Sequence, residues 1–210
     1  MNLLEFDVLT RNIVSPLLEK EYGFVFADGT FVRDLPGQVR HVVMFDFDVR
    51  KAKTFRVVMG FNSPLICGDA PPNEAGVFGV RYLGESNLSE MPSNFPCFNK
   101  ESANKSLERA KHCLHEKGIP WMDSLRSLKA IAQIAEEQYP FIKGKLYFSA
   151  GDFHKAKIYL LKHLSYLSAQ PKTAEAVQGI EDTQEMLKHC ASVASAGWVE
   201  RSETHRHNFQ

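Results

Sequence analysis

The sequence predicts an α+β protein: an N-terminal helix on an antiparallel sheet of four to five strands, followed by an all-helical C-terminal region. Three observations carry that expectation. Apolar residues alternate with polar ones along 39–49 and 53–61, the period of half-buried strands. They recur at spacings of three and four along 3–21 and again beyond residue 100, the period of a helix face. Short turns, above all Asp28-Gly29, join consecutive strand segments and so make the pairing antiparallel.

Leu3, Leu4, Val8, Ile13, Val14, Leu17 and Leu18 mark the first helix, which Pro16 should kink and Gly23 should stop. Phe24–Ala27 and Thr30–Arg33 flank Asp28-Gly29 as a hairpin. In the next strand Val39, His41, Val43, Phe45, Phe47 and Val49 point one way, and Arg40, Val42, Met44, Asp46, Asp48 and Arg50 the other. Phe55, Val57, Met59 and Phe61 form the apolar face of Lys53–Phe61. Both apolar faces must meet one core, so odd residues oppose odd residues. A three-residue loop at 50–52 then sets Val49 against Lys53, Phe47 against Phe55 and Phe45 against Val57. Asp46 falls opposite Arg56, which predicts a cross-strand ion pair on the outer face.

Residues 62–100 read as an ordered, proline-rich loop with one short strand, Val77–Leu83. Beyond it the period is helical. Asn99 or Ser102 caps a helix that Gly118 ends, and Ile119-Pro120-Trp121-Met122 is a connector. Asp123 or Ser124 caps the next helix, through Gln138; Pro140 begins another, through Ser149; 153–168 and 173–194 are the last two. Trp121 has no burial site other than the sheet, so docking of the connector is expected. The resulting organisation is a helix-plus-sheet domain at 1–100, a helical region at 101–195 and a disordered tail at 196–210.

The chain has 210 residues, 44% of them hydrophobic and 24% charged, which excludes wholesale disorder. Lys plus Arg and Asp plus Glu number 25 each, so no net charge draws the chain to nucleic acid. No run of about 18 apolar residues suggests a membrane span. The first residues lack the basic region of a secretory signal, so the expected location is cytoplasmic. Cys67, Cys97, Cys113 and Cys190 are widely and irregularly spaced, as reduced, buried thiols are.

Asp46 and Asp48 lie two apart in a strand, their carboxylates sharing a face about 7 Å apart. With Arg56 beside them they are the candidate catalytic residues for a hydrolase or a metal-dependent enzyme. The plainer reading is a solvated face neutralised by cross-strand pairs. His41, on the apolar face, reads as a satisfied core-edge histidine. His112, Cys113 and His115 offer ligand spacing on one helix but lack the further ligands zinc needs, as do His189 and Cys190. There is no Gly-x-Ser-x-Gly, no His-Glu-x-x-His, and no Gly-Lys-Ser/Thr after Gly76-Val77-Phe78-Gly79. Neither a metal nor a cofactor is expected.

Residues 140–172 set Lys143, Lys145, Lys155, Lys157, Lys162 and Lys172 against one acid, Asp152, with aromatic residues interleaved. The first five lysines are the candidate partner-binding residues. An acidic protein is the natural partner; nucleic acid is a weaker fit because lysine, not arginine, dominates. The reading is therefore a non-catalytic, cytoplasmic interaction module acting through this hairpin or the 62–100 loop. The alternatives are an enzyme on the sheet face and weak nucleic-acid binding by 140–172.

Three segments resemble known sequences. Tyr22-Gly23-Phe24, Gly29-Thr30-Phe31-Val32-Arg33, the strand 39–49 and the later Pro120-Trp121 resemble the uncharacterised bacterial family "domain of unknown function 4304" over residues 1–140. Met44-Phe45-Asp46 departs from it where the family often holds Gln. The resemblance implies an α+β fold and a bacterial source, and no known activity. Gly144, Tyr147, Gly151-Asp152-Phe153 and Ala156 resemble one tetratricopeptide-type hairpin over 137–168, with His163 where that repeat usually holds Ala. No second copy lies about 34 residues away, so the hairpin resembles a packing device more than a peptide groove. Gly197 to His205 resembles a translated repetitive element appended to bacterial reading frames, which implies that His205 and His207 are incidental.

Overall fold

A computed structural model describes residues 2–27, 29–48, 53–63, 78–82, 94–135, 137 and 139–206. Helix α1 (Leu3–Leu18) starts at a reciprocal cap: the Asn2 side chain accepts from the Glu5 amide, and the Glu5 carboxylate accepts from the Asn2 amide, each at 2.9 Å. Pro16 lies in its last turn, where the helix is about to end in any case. Gly23 takes φ +69, the left-handed value glycine adopts without strain, and turns the chain into the sheet.

Five strands follow as an antiparallel meander in the order β1 (Val25–Ala27), β2 (Thr30–Leu35), β3 (Val39–Asp48), β4 (Thr54–Asn62) and β5 (Phe78–Tyr82). A two-residue strand, β6 (Phe95–Pro96), pairs with the start of β4 on the edge β5 also uses. The β1–β2 register, Ala27 opposite Thr30, leaves the two-residue Asp-Gly turn. Between β3 and β4 the register is Phe45 opposite Val57, Asp46 opposite Arg56 and Phe47 opposite Phe55, as the odd-to-odd argument requires. The expected pair Val49–Lys53 and loop 50–52 lie outside the described residues, as does most of the 62–100 loop.

The odd face of the sheet carries the core. Phe31, Val43, Phe55, Val57 and Met59 meet Phe6, Val14 and Leu18 of α1. Phe6 stacks on Phe47 at 4.7 Å, and Phe95 on Phe55 at 5.1 Å. Each fully buried phenylalanine contributes roughly 2–3 kcal/mol by leaving water. The even face is not simply solvated: Val42 and Val58 are buried there too.

Helix α2 (Lys100–Cys113) is capped by Asn99, whose side chain accepts from the Ser102 amide, so Asn99 and Ser102 act together. Gly118 does not end it. The chain continues through a π-helical turn (Leu114–Gly118) into α3 (Ile119–Asp123), so the expected connector is helical. Gly118 keeps right-handed helical angles and is buried. Ala103, Leu107, Ala110, Leu114, Ile119 and Met122 complete the core beneath the sheet, and Trp121 docks on Phe61 with ring centroids 5.4 Å apart.

Because α2 and α3 belong to that core, the chain divides after Ser127 and not after residue 100: one compact unit is 1–127, the other 128–210. The second consists of α4 (Leu128–Ile134), α5 (Pro140–Ser149), α6 (Phe153–Ser168) and α7 (Ala174–Arg206). The helix expected to run to Gln138 stops at Ile134. Each helix packs on the next in sequence, with Leu146, Tyr147, Ala156, Leu160 and Cys190 buried. The backbone of α7 is helical through Arg206, past residue 196 where a disordered tail is expected; 207–210 lie outside the described residues. Among the described residues no helix is long and apolar enough to cross a membrane.

Candidate functional site

The five candidate lysines do not form one free patch. Helices α5 and α6 make the expected hairpin. Gly144 lets them approach so closely that a Cβ there would stand 3.0 Å from Leu160 Cγ. Asp152 caps α6 by accepting from the Lys155 amide. Lys143 is buried, so it is no surface contact. Its ammonium donates to Glu137 Oε1 at 2.7 Å and to the Ala135 carbonyl at 3.0 Å. Tyr159 donates to the same carboxylate at 3.0 Å, and Lys162 Nζ stands 3.6 Å from its other oxygen. Burial, the largest single influence, would lower the Lys143 pKa, but the Glu137 hydrogen bond together with the charge attraction of Glu137, Tyr159 and Tyr147 turns the net direction up. The hydrogen bonds from Lys143 and Tyr159 hold Glu137 below the usual carboxylate range.

The other lysines lie over aromatic faces. Lys145 stands 5.3 Å from the Phe141 centroid, Lys155 5.2 Å from Tyr147 and Lys162 4.9 Å from Tyr159. Lys157 is exposed. Of these lysines Lys162 lines a groove of about 580 Å³, together with Glu137, Tyr139, Phe141, Ile142, His163 and Tyr166 among others, with Tyr139 and Tyr166 exposed; Lys157 lines a separate cavity with Asp152 and His154. Packing against Phe141 at 4.6 Å buries His163 enough to push its pKa down.

On the sheet face Arg56 donates to Asp46 through Nη2 and through Nε at 3.2 Å, the cross-strand pair the register demands. Asp46 is thus engaged by a guanidinium. Asp48 stands opposite Thr54 in the ladder, and its side chain lies outside the described part of the structure. Arg40 pairs with Asp34. Among the described residues no group of three or more His, Cys, Asp or Glu side chains stands close enough to hold a metal ion. His112 is exposed, and Cys97, Cys113 and Cys190 are free and buried; Cys67 lies outside the described residues. Burial pushes the Cys97 thiol up to about 11 and those of Cys113 and Cys190 upward, away from the reactive thiolate.

The structure also assembles a buried polar cluster that no motif announces. Arg33, buried on β2, spends both Nη2 protons, one on Asp123 Oδ1 at 2.5 Å and one on His41 Nδ1 at 2.8 Å. Nδ1 therefore accepts, the ring proton is on Nε2, and Nε2 donates to the Leu125 carbonyl at 3.2 Å. Arg33 Nη1 reaches the Tyr22 carbonyl at 3.3 Å, and its guanidinium lies over Phe24 at 4.7 Å. Burial drives the His41 pKa down to about 4. Burial would raise Asp123, but hydrogen bonds from Arg126 and Arg33 win and lower it. Nearby the π-helical turn presents His115, whose Nδ1 is 2.7 Å from the Tyr22 hydroxyl. Arg33 and Trp121 both bind α3 to the sheet. The Nη1 and Nη2 groups of Arg33 are engaged within the cluster, its Nε is buried without a hydrogen-bond partner, and the whole reads as a clamp.

The chain matches no protein-family model, no curated protein and no solved structure.

Proposed function

We propose that the protein is a non-catalytic interaction module whose C-terminal helical unit binds an acidic, apolar segment of a partner protein. One observation carries the reading: the groove at Phe141, Ile142, His163 and Tyr166 is largely apolar, opens between α5 and α6, and is bordered by Lys162, with Glu137, which Lys143 and Lys162 neutralise, on the same rim. Lys145 and Lys155 stand over neighbouring aromatic rings on the same hairpin, and Lys157 is exposed on α6. An apolar trough with cations beside it suits alternating leucine and glutamate side chains. The nucleic-acid alternative has less support, because base stacking needs free ring faces. Tyr147 is buried, and Tyr159 is stacked on Tyr147 and overlaid by lysines. The sheet-face enzyme has less support as well, since Asp46 is held by Arg56.

The test is fluorescence anisotropy with a synthetic peptide of alternating glutamate and leucine, against the same peptide with lysine for glutamate. The acidic peptide should bind with a dissociation constant of about 10 μM that weakens with salt. The Lys155→Glu, Lys157→Glu, Lys162→Glu triple variant should bind it at least about tenfold more weakly while keeping the far-ultraviolet circular dichroism spectrum of the folded protein. No binding, or equal binding by the triple variant, would remove the proposal.

A further inference from the structure

The N-terminal unit carries a second apolar surface, far in character from the lysine hairpin. The first turns of α1 and the start of α2 form a groove of about 510 Å³ lined by Leu4, Glu5, Val8, Leu9, Phe98, Asn99 and Lys100. Leu4 is 74% exposed, Val8 51% and Phe98 59%, with Leu3 beside them at 54%. Single exposed apolar side chains are ordinary; several large ones around one groove mark a contact surface. Two local rules are broken here. Phe98 precedes the helix cap Asn99, where an apolar residue commonly staples onto the first turn, yet its side chain stands in solvent. Lys100 is the first residue of α2, where the helix dipole disfavours a cation, and it has no acidic partner among the described residues.

The charges choose the occupant. Glu5 stands on the α1 wall and Lys100 on the α2 wall of one groove. A ligand of one sign would be repelled by one of them. A second copy turned about a twofold axis through the groove instead sets Glu5 of each chain against Lys100 of the other, and covers the leucines, valine and phenylalanine at the same time. The formal net charge is zero, so no long-range repulsion opposes self-association. We infer that this groove is the isologous interface of a homodimer.

Sedimentation of the full chain over a range of concentrations tests this. The wild type should show a dimer, and Leu4→Glu should raise its dissociation constant about 100-fold. Leu4 is so exposed that the monomer fold does not depend on it; an unchanged circular dichroism spectrum checks this, and Val8→Lys is the second variant. A zero-length carbodiimide, applied to a mixture of heavy- and light-isotope copies, should join Glu5 to Lys100 in mixed-isotope peptides. A monomer at every concentration, a dimer indifferent to both variants, or links only within single-isotope chains would each overturn the inference.

Discussion

At the scale of single residues, Arg33, His41 and Asp123 define how the first unit responds to acid. His41 is held neutral first by burial, and its Nδ1 accepts from the Arg33 guanidinium, whose charge acts in the same direction. Its folded pKa of about 4 lies below the ordinary 6.5, so between those values the unfolded chain binds more protons than the folded one. Stability from this residue is complete above pH 6.5 and is lost as pH falls toward 4, by on the order of 3 kcal/mol. Urea unfolding at steps between pH 7 and 4 should show that slope, and His41→Asn, which keeps an acceptor for Arg33 but no titrating ring, should flatten it. The pairing of Arg33 with Asp123 was not legible in the sequence. Asp123 lies 90 residues from Arg33, and no local pattern pairs them. His41 was legible as a satisfied core-edge histidine because strand alternation alone puts it on the apolar face, but its partners were not.

At the scale of elements, the sheet was the most readable part. Alternation fixes which face is buried, a shared core fixes parity, and a short loop fixes offset, so Asp46–Arg56 follows without any energy term. The helical hairpin was readable for a similar reason, since Gly144 and Ala156 are small where two helices must touch. Replacing Gly144 by alanine tests that contact. Alanine gains about 1 kcal/mol in helix propensity, but its Cβ meets Leu160 Cγ at 3.0 Å and the Leu160 backbone nitrogen at 3.3 Å. Overpacking of this kind costs about 1–3 kcal/mol, so the variant should unfold at lower urea with a net loss of about 1 kcal/mol. The internal engagement of two of the lysines was not readable, for a matching reason. Charge counting on a hairpin cannot see that Glu137, from the preceding turn, reaches Lys143 and Lys162. Nor can periodicity see that Gly118 keeps helical angles, since glycine is as common a stop signal as any.

At the scale of the molecule, the chain divides where the core ends. Every residue of the large apolar cluster, from Phe6 to Met122, lies within 1–127. A fragment of residues 1–127 should therefore unfold cooperatively in urea, with strand and helix signals lost together; a fragment that stays soluble but gives no sigmoidal transition would refute a self-sufficient core. Within that unit the π-helical turn has a numerical consequence. On α2 Ala103, Leu107 and Ala110 of the core follow at the rhythm of an α-helix, which continues to Leu114 at the head of the π-helical turn; the next large apolar side chain in the core is Ile119, five positions on and just after the buried Gly118, followed by Met122. The turn absorbs one surplus residue, so the helix slips phase once and still shows a single stripe to the sheet. His115 and Glu116 lie on the outward side of that turn, and from there His115 stands beside Tyr22.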